Sequence, residues 1–384
     1  MPTLVVPDTH RLKTKKRLDL VEFVFEFKPV PDLNNIIIIG AQHILPSTLY
    51  MLESFFDRGL SPKNVFLIGK CYSTDLHTYN QLRDLGVYVC PSSLVFDKHN
   101  SFDSSYSYYI KSFVNQVLRE TSSLKNDLIV SIDDGGELIS YLNNSQFEYR
   151  SFVGLEQTTS GYQKIKLLEL NISVVNVARS YAKLQFESKI VAKTAVTEVC
   201  NKLSSSLNNI KNTLIIGNGA IGSAVANALE GNFNIVLSDS DPRKSNCYDK
   251  KFLDLSEFDL IIGCVGKTVL SFDKIKQLKE GAILASLSSS DREFEIVQPR
   301  SESRYIRSCH DDFMWKGVKI LNCGFPVNFS GDSSKVDIKE FELTRSLLTL
   351  GILQAIELKF KKGLFSMCDF DQKRLIDQFL TKYS

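Results

Sequence analysis

Residues 213–241 constrain the fold more than any other stretch. An apolar run, Leu214-Ile215-Ile216, leads into Gly217-Asn218-Gly219-Ala220-Ile221-Gly222. An amphipathic stretch follows to Leu229, and a second apolar run, Ile235-Val236-Leu237, ends at Asp239. This order predicts a strand, a glycine turn, a helix and a strand with a terminal carboxylate. Gly217 permits the tight turn, Gly219 lets the backbone approach a pyrophosphate, and Gly222 lets the helix lie close to the sheet. The helix N-terminus offers free N–H groups and a positive dipole end to phosphates. Asp239 falls where a carboxylate accepts hydrogen bonds from ribose hydroxyls. It favours NAD over NADP, because a 2′-phosphate would meet like charge, while Arg243 and Lys244 nearby temper that preference. The competing explanation is a chance glycine turn in an α/β fold, and the complete context outweighs it.

A chain of 384 residues has room for two domains, and a hydrophobic content of 43% fills their cores. Lys and Arg number 46 against 44 Asp and Glu, and they are scattered. Neither nucleic acid nor a membrane surface is expected as a partner. Lys13-Thr14-Lys15-Lys16-Arg17 reads as a solvated face. The eight cysteines (71, 90, 200, 247, 264, 309, 323 and 368) form no C-x-x-C pair, so reduced thiols and no metal site are expected. No apolar run is long enough to span a bilayer, and the N-terminus lacks a signal peptide's apolar core. A cytoplasmic protein is expected.

Strand and helix patterns alternate along the first half. Asn35–Gly40 is a four-isoleucine run suited to a strand buried on both faces of a parallel sheet. Helices are predicted over Pro46–Arg58, Thr74–Leu85, Tyr106–Glu120 and Glu137–Leu142. Strands are predicted at Asn64–Gly69, Val87–Cys90, Asp127–Ile132, Ser151–Leu155 and Ser173–Val177, with a further strand at Leu20–Phe27. A long helix is predicted from Ser180 to about Leu207, with Ser204–Asn209 as the loop before the glycine motif. Strands at Phe258–Cys264, Ala282–Leu287 and Val318–Cys323 and a helix at Ser271–Lys279 continue the second unit. A helix over Ile338–Lys361 and a helical tail from Phe365 close the chain. The fold class is α/β with two doubly wound domains, the second a Rossmann NAD-binding domain. Residues 1–185 are assigned to a substrate domain, to which helix 338–362 returns. Residues 186–335 form the nucleotide domain, and 336–384 the C-terminal helices and tail.

Several further blocks occur in order: Gly40-Ala41-Gln42-His43, Ser73-Thr74-Asp75-Leu76-His77, Asp133-Asp134-Gly135-Gly136, Glu156-Gln157-Thr158-Thr159-Ser160-Gly161, and Asn176 through Lys183 to Phe186-Glu187-Ser188. The glycine loop, Asp239 with Asp241-Pro242, Gly281-Ala282-Ile283 and Val327-Asn328 follow. Together they resemble the S-adenosylhomocysteine hydrolase (adenosylhomocysteinase) family over roughly residues 34–355. The resemblance implies a tightly held NAD that is used and regenerated within one turnover. The family oxidises the 3′-hydroxyl of a nucleoside to a ketone, which acidifies C4′–H and lets the 5′ substituent leave; water adds and the hydride returns.

The resemblance also implies roles. Lys183 matches the catalytic lysine, and Glu187 stands where the family has aspartate; four apart, they share a helix face and would polarise and deprotonate the sugar hydroxyl. From spacing alone they would read as a surface ion pair. His43 matches an acid–base histidine near C4′ and C5′, against the bland reading of a satisfied strand-end histidine. Asp134 matches a catalytic carboxylate of the substrate site, which Gln157, Ser73 and Thr74 also line, while Asp133 would cap the turn. Thr158, Thr159 and Ser160 match a hydroxyl triplet at the nicotinamide half of NAD; unaided, they read as a helix N-cap. Ser188 and Asn328 fall beside the nicotinamide. The cofactor residues are therefore Gly217, Gly219, Ile221, Gly222, Asp239, Thr158, Thr159, Ser160, Ser188 and Asn328.

Departures from the family are specific. Gln157 replaces a glutamate in the ribose site, and Ser188 replaces an asparagine. Leu45 and Ser47 stand where the family has a threonine and a glutamate that read adenine. Ser289 stands in place of a histidine two residues before Asp291. The family's Gly-His-Pro block has no counterpart around Ser330–Val336, and its basic, tyrosine-ended tail motif is missing. Positions serving NAD and the redox step are mostly kept, and those reading adenine mostly changed. The expectation is an NAD-dependent enzyme oxidising C3′ of a nucleoside-like substrate other than adenosylhomocysteine, assembled as a homo-oligomer (dimer or tetramer). The rival is a catalytically impaired NAD-binding homologue acting as a sensor or partner subunit. A third reading, a 2-hydroxyacid dehydrogenase, lacks an Arg…Glu…His set after the glycine loop.

Overall fold

Runs of β-branched residues make strands buried on both faces, and the segments between them wind helices over those faces. A computed structural model describes residues 16–122, 128–144, 151–204, 207–246, 253–329, 331 and 338–383, without the side chains of 338–340. Most of the basic cluster at 13–17, Cys247 and nearly all of 330–336 lie outside the described residues, as do residues 205 and 206 of the expected loop.

The first sheet has seven parallel strands: β1 (Ile36–Ala41), β2 (Val65–Ile68), β3 (Tyr88–Val89), β4 (Leu128–Asp133), β5 (Ser151–Glu156), β6 (Ser173–Asn176) and, from near the C-terminus, β13 (Gly363–Ser366). Their order is β13-β6-β5-β4-β1-β2-β3. The second sheet holds β7 (Asn212–Ile216), β8 (Asn234–Ser238), β9 (Leu260–Gly263), β10 (Ile283–Ser286), β11 (Phe313–Trp315) and β12 (Val318–Ile320), in the order β11-β12-β10-β9-β7-β8. Only the edge strand β11 runs antiparallel. Both units are thus α/β with parallel sheets. Each sheet changes direction beside its first strand, between β1 and β4 and between β7 and β9. Open α/β sheets bind ligands at that reversal, where adjacent strand ends diverge.

Helices cover both faces of the first sheet. Helix Ile338–Glu357 lays Leu343, Leu347 and Leu350 into a core shared with Leu155 and Val175. Helix Phe102–Glu120 covers the other face with Ile110, Phe113 and Val114. In the second unit, Ser188–Leu203 and Ala220–Leu229 pack Ala192, Ala195 and Val225 against Ile215 and Ile262. The units meet through side chains as well. Tyr72 and Phe102 join the core of the second sheet beside Phe325. The fully buried Arg300 bonds Asp291 at 2.8 Å and the carbonyls of Lys98 and Asn100 at 3.1 and 2.7 Å.

Some local expectations are corrected. Leu20–Phe27 lies within a helix, Asp19–Phe27, rather than a strand. Its buried residues are Leu20, Val21, Val24 and Phe25, a helical period that the strand-like composition of Val21, Phe23, Val24, Phe25 and Phe27 obscures. The long helix starts at Tyr181, widens to a π turn at Lys183–Glu187 and continues as α-helix over Ser188–Leu203. The helix predicted at Ser271–Lys279 shrinks to Phe272–Ile275. The strand predicted at Val318–Cys323 stops at Ile320, because Asn322 and Cys323 adopt positive φ. The expected helical tail gives its first residues to β13 before helix Asp369–Tyr383 begins. There Lys382 and Tyr383 bind Glu342 of the same chain.

The glycine turn behaves as its residues dictate. Gly217 sits at φ +101°. A Cβ on Gly222 would run into the Gly217 carbonyl oxygen, whereas one on Gly219 would meet nothing within 4 Å. Gly222→Ala should therefore cost about 3 kcal/mol through overpacking. Gly219→Ala should leave the midpoint of denaturant unfolding unchanged.

Candidate functional site

Two crevices lie at the two sheet reversals. In the first, the loops after β1 and β4 carry His43 and Asp134. The β1–β4 register, Ile39 opposite Ser131 and Gly40 opposite Ile132, brings these loops side by side. His43 Nε2 lies 3.1 Å from Asp134 Oδ2, and its Nδ1 lies 2.5 Å from Ser73 Oγ. Lys70 Nζ reaches the other Asp134 oxygen, and Gln157 Nε2 donates to Oδ2. Lys70, Gln157 and Asp134 are all buried. Burial alone would raise Asp134, but Lys70 and His43 together hold it well below the usual carboxylate range. Burial lowers His43, so its neutral form dominates. An ionised Asp134 accepts, so the bonding assigns the His43 proton to Nε2 and makes Nδ1 the acceptor of the Ser73 hydroxyl.

Behind this cluster lies a second acid pair. Asp133 and Glu156 face each other in register on β4 and β5. Asp133 Oδ2 accepts from Ile139 N at 2.8 Å. Glu156 Oε1 accepts from Thr158 N and Oγ1 at 2.6 Å and from Gly135 N at 3.2 Å. The remaining oxygens, Asp133 Oδ1 and Glu156 Oε2, are buried without a partner. Burial pushes Asp133 up to about 7; burial, and then Asp133 itself, push Glu156 well above its ordinary value. Asp133 thus does more than cap a turn: with Glu156 it forms a buried acid pair beneath the Thr158 loop.

The remaining expected residues sort by environment. Lys183 Nζ contacts both oxygens of the buried Glu187 at 2.7 Å. Thr158 caps helix Thr159–Ile165 through Gly161 N and lies 3.3 Å from Ser160 Oγ. Ser160 also faces Gly266 at the end of β9, so this loop bridges toward the second crevice. Thr74 spends its hydroxyl on the Lys70 carbonyl, and Ser188 on that of Leu184. Ile221 packs half-buried on the second unit's core. Asn328 is half-buried, next to Phe329, whose ring lies 4.7 Å from that of His43. Phe329 thus brings the second unit onto the first crevice.

In the second crevice, Asp239 Oδ2 accepts from Asn218 N at 2.7 Å and Oδ1 from Asp241 N at 2.9 Å. Burial works against ionisation here, but these backbone bonds prevail and hold Asp239 low. Arg243 is tied to Asp241 at 2.8 Å, so its charge is already engaged.

Reading the sequence missed Lys70, Arg345 and the buried Glu293. Glu293 accepts from Val265 N and Gly266 N at 2.7 and 2.6 Å and so shapes the loop after β9. Lys70 is 64 residues from Asp134 and lacks any local motif, so only the sheet register pairs them.

No protein-family model matches the chain. An uncharacterized protein of Mycobacterium tuberculosis is 36% identical over 330 residues, covering 84% of this chain and 65% of the relative. An S-inosyl-L-homocysteine hydrolase of Methanosarcina mazei is 25% identical over 274 residues, 66% of this chain and 65% of that one. The adenosylhomocysteinase of Sulfolobus acidocaldarius is 25% identical over 214 residues, 52% of each. The chain spans less than two thirds of the length of these relatives. Its relationship to adenosylhomocysteinase is distant. No helix among the described residues is long and apolar enough to cross a membrane.

The adjacent aspartates should give opposite pH dependences. Asp133 is held above its unfolded value, so the folded chain keeps a proton that the unfolded chain loses; stability falls as pH rises from about 4 to about 7. Asp134 is held below its unfolded value, so its stabilisation is present above about pH 4 and is lost as pH falls through the lower folded value. Denaturant midpoints against pH should therefore flatten between about pH 4 and 7 in Asp133→Asn and below about pH 4 in Asp134→Asn. At pH 7 Asp134→Asn should also cost about 3–5 kcal/mol, because Lys70 remains buried without its partner.

Proposed function

We propose that this chain oxidises a secondary ribose-type hydroxyl, C3′ of a nucleoside or a related metabolite, with NAD held as a regenerated catalyst. The observation that carries the reading is the pairing of two crevices: a glycine turn with a carboxylate at one sheet reversal, and a buried His–Asp–Lys cluster at the other. The matches to an adenosylhomocysteinase and an S-inosyl-L-homocysteine hydrolase support the same chemistry.

The residues fit such a cofactor. Gly219 leaves open space at the start of helix Ala220–Leu229 for a pyrophosphate, while Gly217 and Gly222 pack tightly to form the turn that presents it and Ile221 follows in the first turn of the helix. Asp239 is ionised and held by two N–H groups, suited to a ribose diol, while the exposed Arg243 leans on Asp241. Thr158, Thr159, Ser160, Ser188 and Asn328 would receive the nicotinamide end. Thr158 and Ser188 already donate internally, so they offer lone pairs there. When bound, NAD supplies a hydride acceptor that later returns the hydride.

This chain's own groups do the proton work. Lys183 and Glu187, joined at 2.7 Å, form the pair that takes the proton of the sugar hydroxyl. Neutral His43 accepts a proton at Nδ1 through Ser73 Oγ, and Asp134 stabilises the cation that results. Phe329, Tyr72 and Phe325 shield the cluster from water.

The test is direct. The purified protein is denatured, any released nucleotide is identified by mass, and absorbance in the NADH band is followed as nucleosides are added to the native protein. Bound NAD and a rise with one nucleoside are expected. Lys183→Ala should slow that rise about 10²–10⁴-fold, and Gly219→Ala should fold yet lose the nucleotide. No bound nucleotide and no binding of added NAD would overturn the proposal. Bound NAD with no response to any nucleoside would favour the sensor reading.

A further inference from the structure

Arg345 is a fully buried guanidinium on the inner face of helix Ile338–Glu357. Its Nε donates to Ser47 Oγ at 3.1 Å and its Nη1 to Gln42 Oε1 at 3.4 Å. These two residues flank His43 in the chain, so Arg345 borders the first crevice. It acts electrostatically on His43, and Asp134 and Glu187 act on it. Yet no carboxylate among the described residues comes within ion-pair distance. Burial draws its pKa down to about 10, with Asp134 and Glu187 offsetting only part of that cost. An arginine carries five N–H donors, and a buried charge left this poorly paired is expensive.

A second buried donor lies alongside. Gln42 is 1% exposed, and its Nε2 has no partner. With Oε1 turned to Arg345, the amide orientation is fixed and Nε2 must be the free end. The charge balance points the same way. Lys70 is paired with Asp134 and Lys183 with Glu187, whereas Arg345 has no ion pair among the described residues.

We infer that Arg345 and Gln42 form a specificity site for an oxygen acceptor, a carbonyl or carboxylate on the substrate, at the end of the crevice beyond His43. An amino group placed there would face the Arg345 guanidinium and the Gln42 Nε2 donor and be disfavoured. This assignment rests on the proposed nucleoside chemistry and narrows its substrate class. On a purine it selects a 6-oxo edge over a 6-amino edge. The principle is that leaving buried polar groups unpaired discriminates far more strongly than shape alone.

The experiment is calorimetric binding of inosine, xanthosine and adenosine to the full chain carrying its bound nucleotide, so it does not depend on turnover. Inosine should bind at least about tenfold tighter than adenosine. Xanthosine, which is readily ionised, distinguishes the two acceptors: binding tighter than inosine marks an anionic acceptor, and weaker binding a neutral carbonyl. Arg345→Met should weaken inosine about 10–100-fold and erase the preference, and Arg345→Lys, which keeps the charge with fewer donors, should fall between. Should Arg345→Met fail to fold, the wild-type ratio and Arg345→Lys still decide. Adenosine binding as tightly as inosine or tighter, or an Arg345→Met protein with an unchanged ratio, overturns the assignment while leaving the oxidation chemistry standing. Binding of none of the three overturns the nucleoside reading and this assignment with it.

Discussion

A single buried carboxylate organises the first crevice. Asp134 sits at the end of β4, out of contact with solvent, and its charge is tolerated only because Lys70, His43 and Gln157 converge on it. Each partner arrives from a different loop: Lys70 after β2, His43 after β1, Gln157 after β5. All these loops leave the same edge of a parallel sheet, so the register that stacks Ile39 on Ser131 also fixes the ion cluster. A slip of one residue would turn Asp134 toward the opposite face and strand Lys70. The polar centre and the hydrophobic sheet are therefore one constraint.

The same economy holds between the units. Tyr72 follows directly on the Lys70 turn, yet its ring belongs to the core of the second sheet, and burial pushes its hydroxyl up to about 12, so it stays protonated. Phe329 comes the other way and covers His43. Asp291 and Arg300, buried together, clamp the second unit to the backbone at 98–102. A histidine is missing at position 289, but the aspartate two residues on remains as an anchor between the units rather than a lining of the crevice. The side chains that seal the site are thus also those that join the halves. Sealing matters for the proposed chemistry, because a ketone intermediate must be kept from water and burial further favours the neutral form of His43.

Much of this was legible in the chain. The glycine turn and the isoleucine strand dictate their own local geometry, because a β-branched run buried on both faces has few options and a Cβ at position 222 has none. The blocks at 40–43, 133–136 and 156–161 each sit at a strand end, which periodicity alone can locate. Less was legible where two local signals compete. The valines and phenylalanines at 21–27 have strand-like propensity within a helix, and the turn at Lys183–Glu187 widens to π geometry inside what reads as a continuous helix. Nothing local announces Arg345, which stands 298 residues from Ser47 and looks, in sequence, like one cation on an amphipathic helix.

The sequence by itself determined two parallel α/β sheets, the tight glycine turn that opens helix Ala220–Leu229, and which residues lie at the strand ends. These follow from short-range sterics and from the period of hydrophobic burial, both written into neighbouring residues. The tertiary structure alone decided which of those residues share a charge. Lys70 meets Asp134, Asp133 pairs with Glu156, and Arg345 borders His43 only after the strands are in register and the C-terminal helix has returned to the first sheet. Electrostatic partnership depends on distances of a few ångströms across large sequence separations, and those distances exist only in the folded chain.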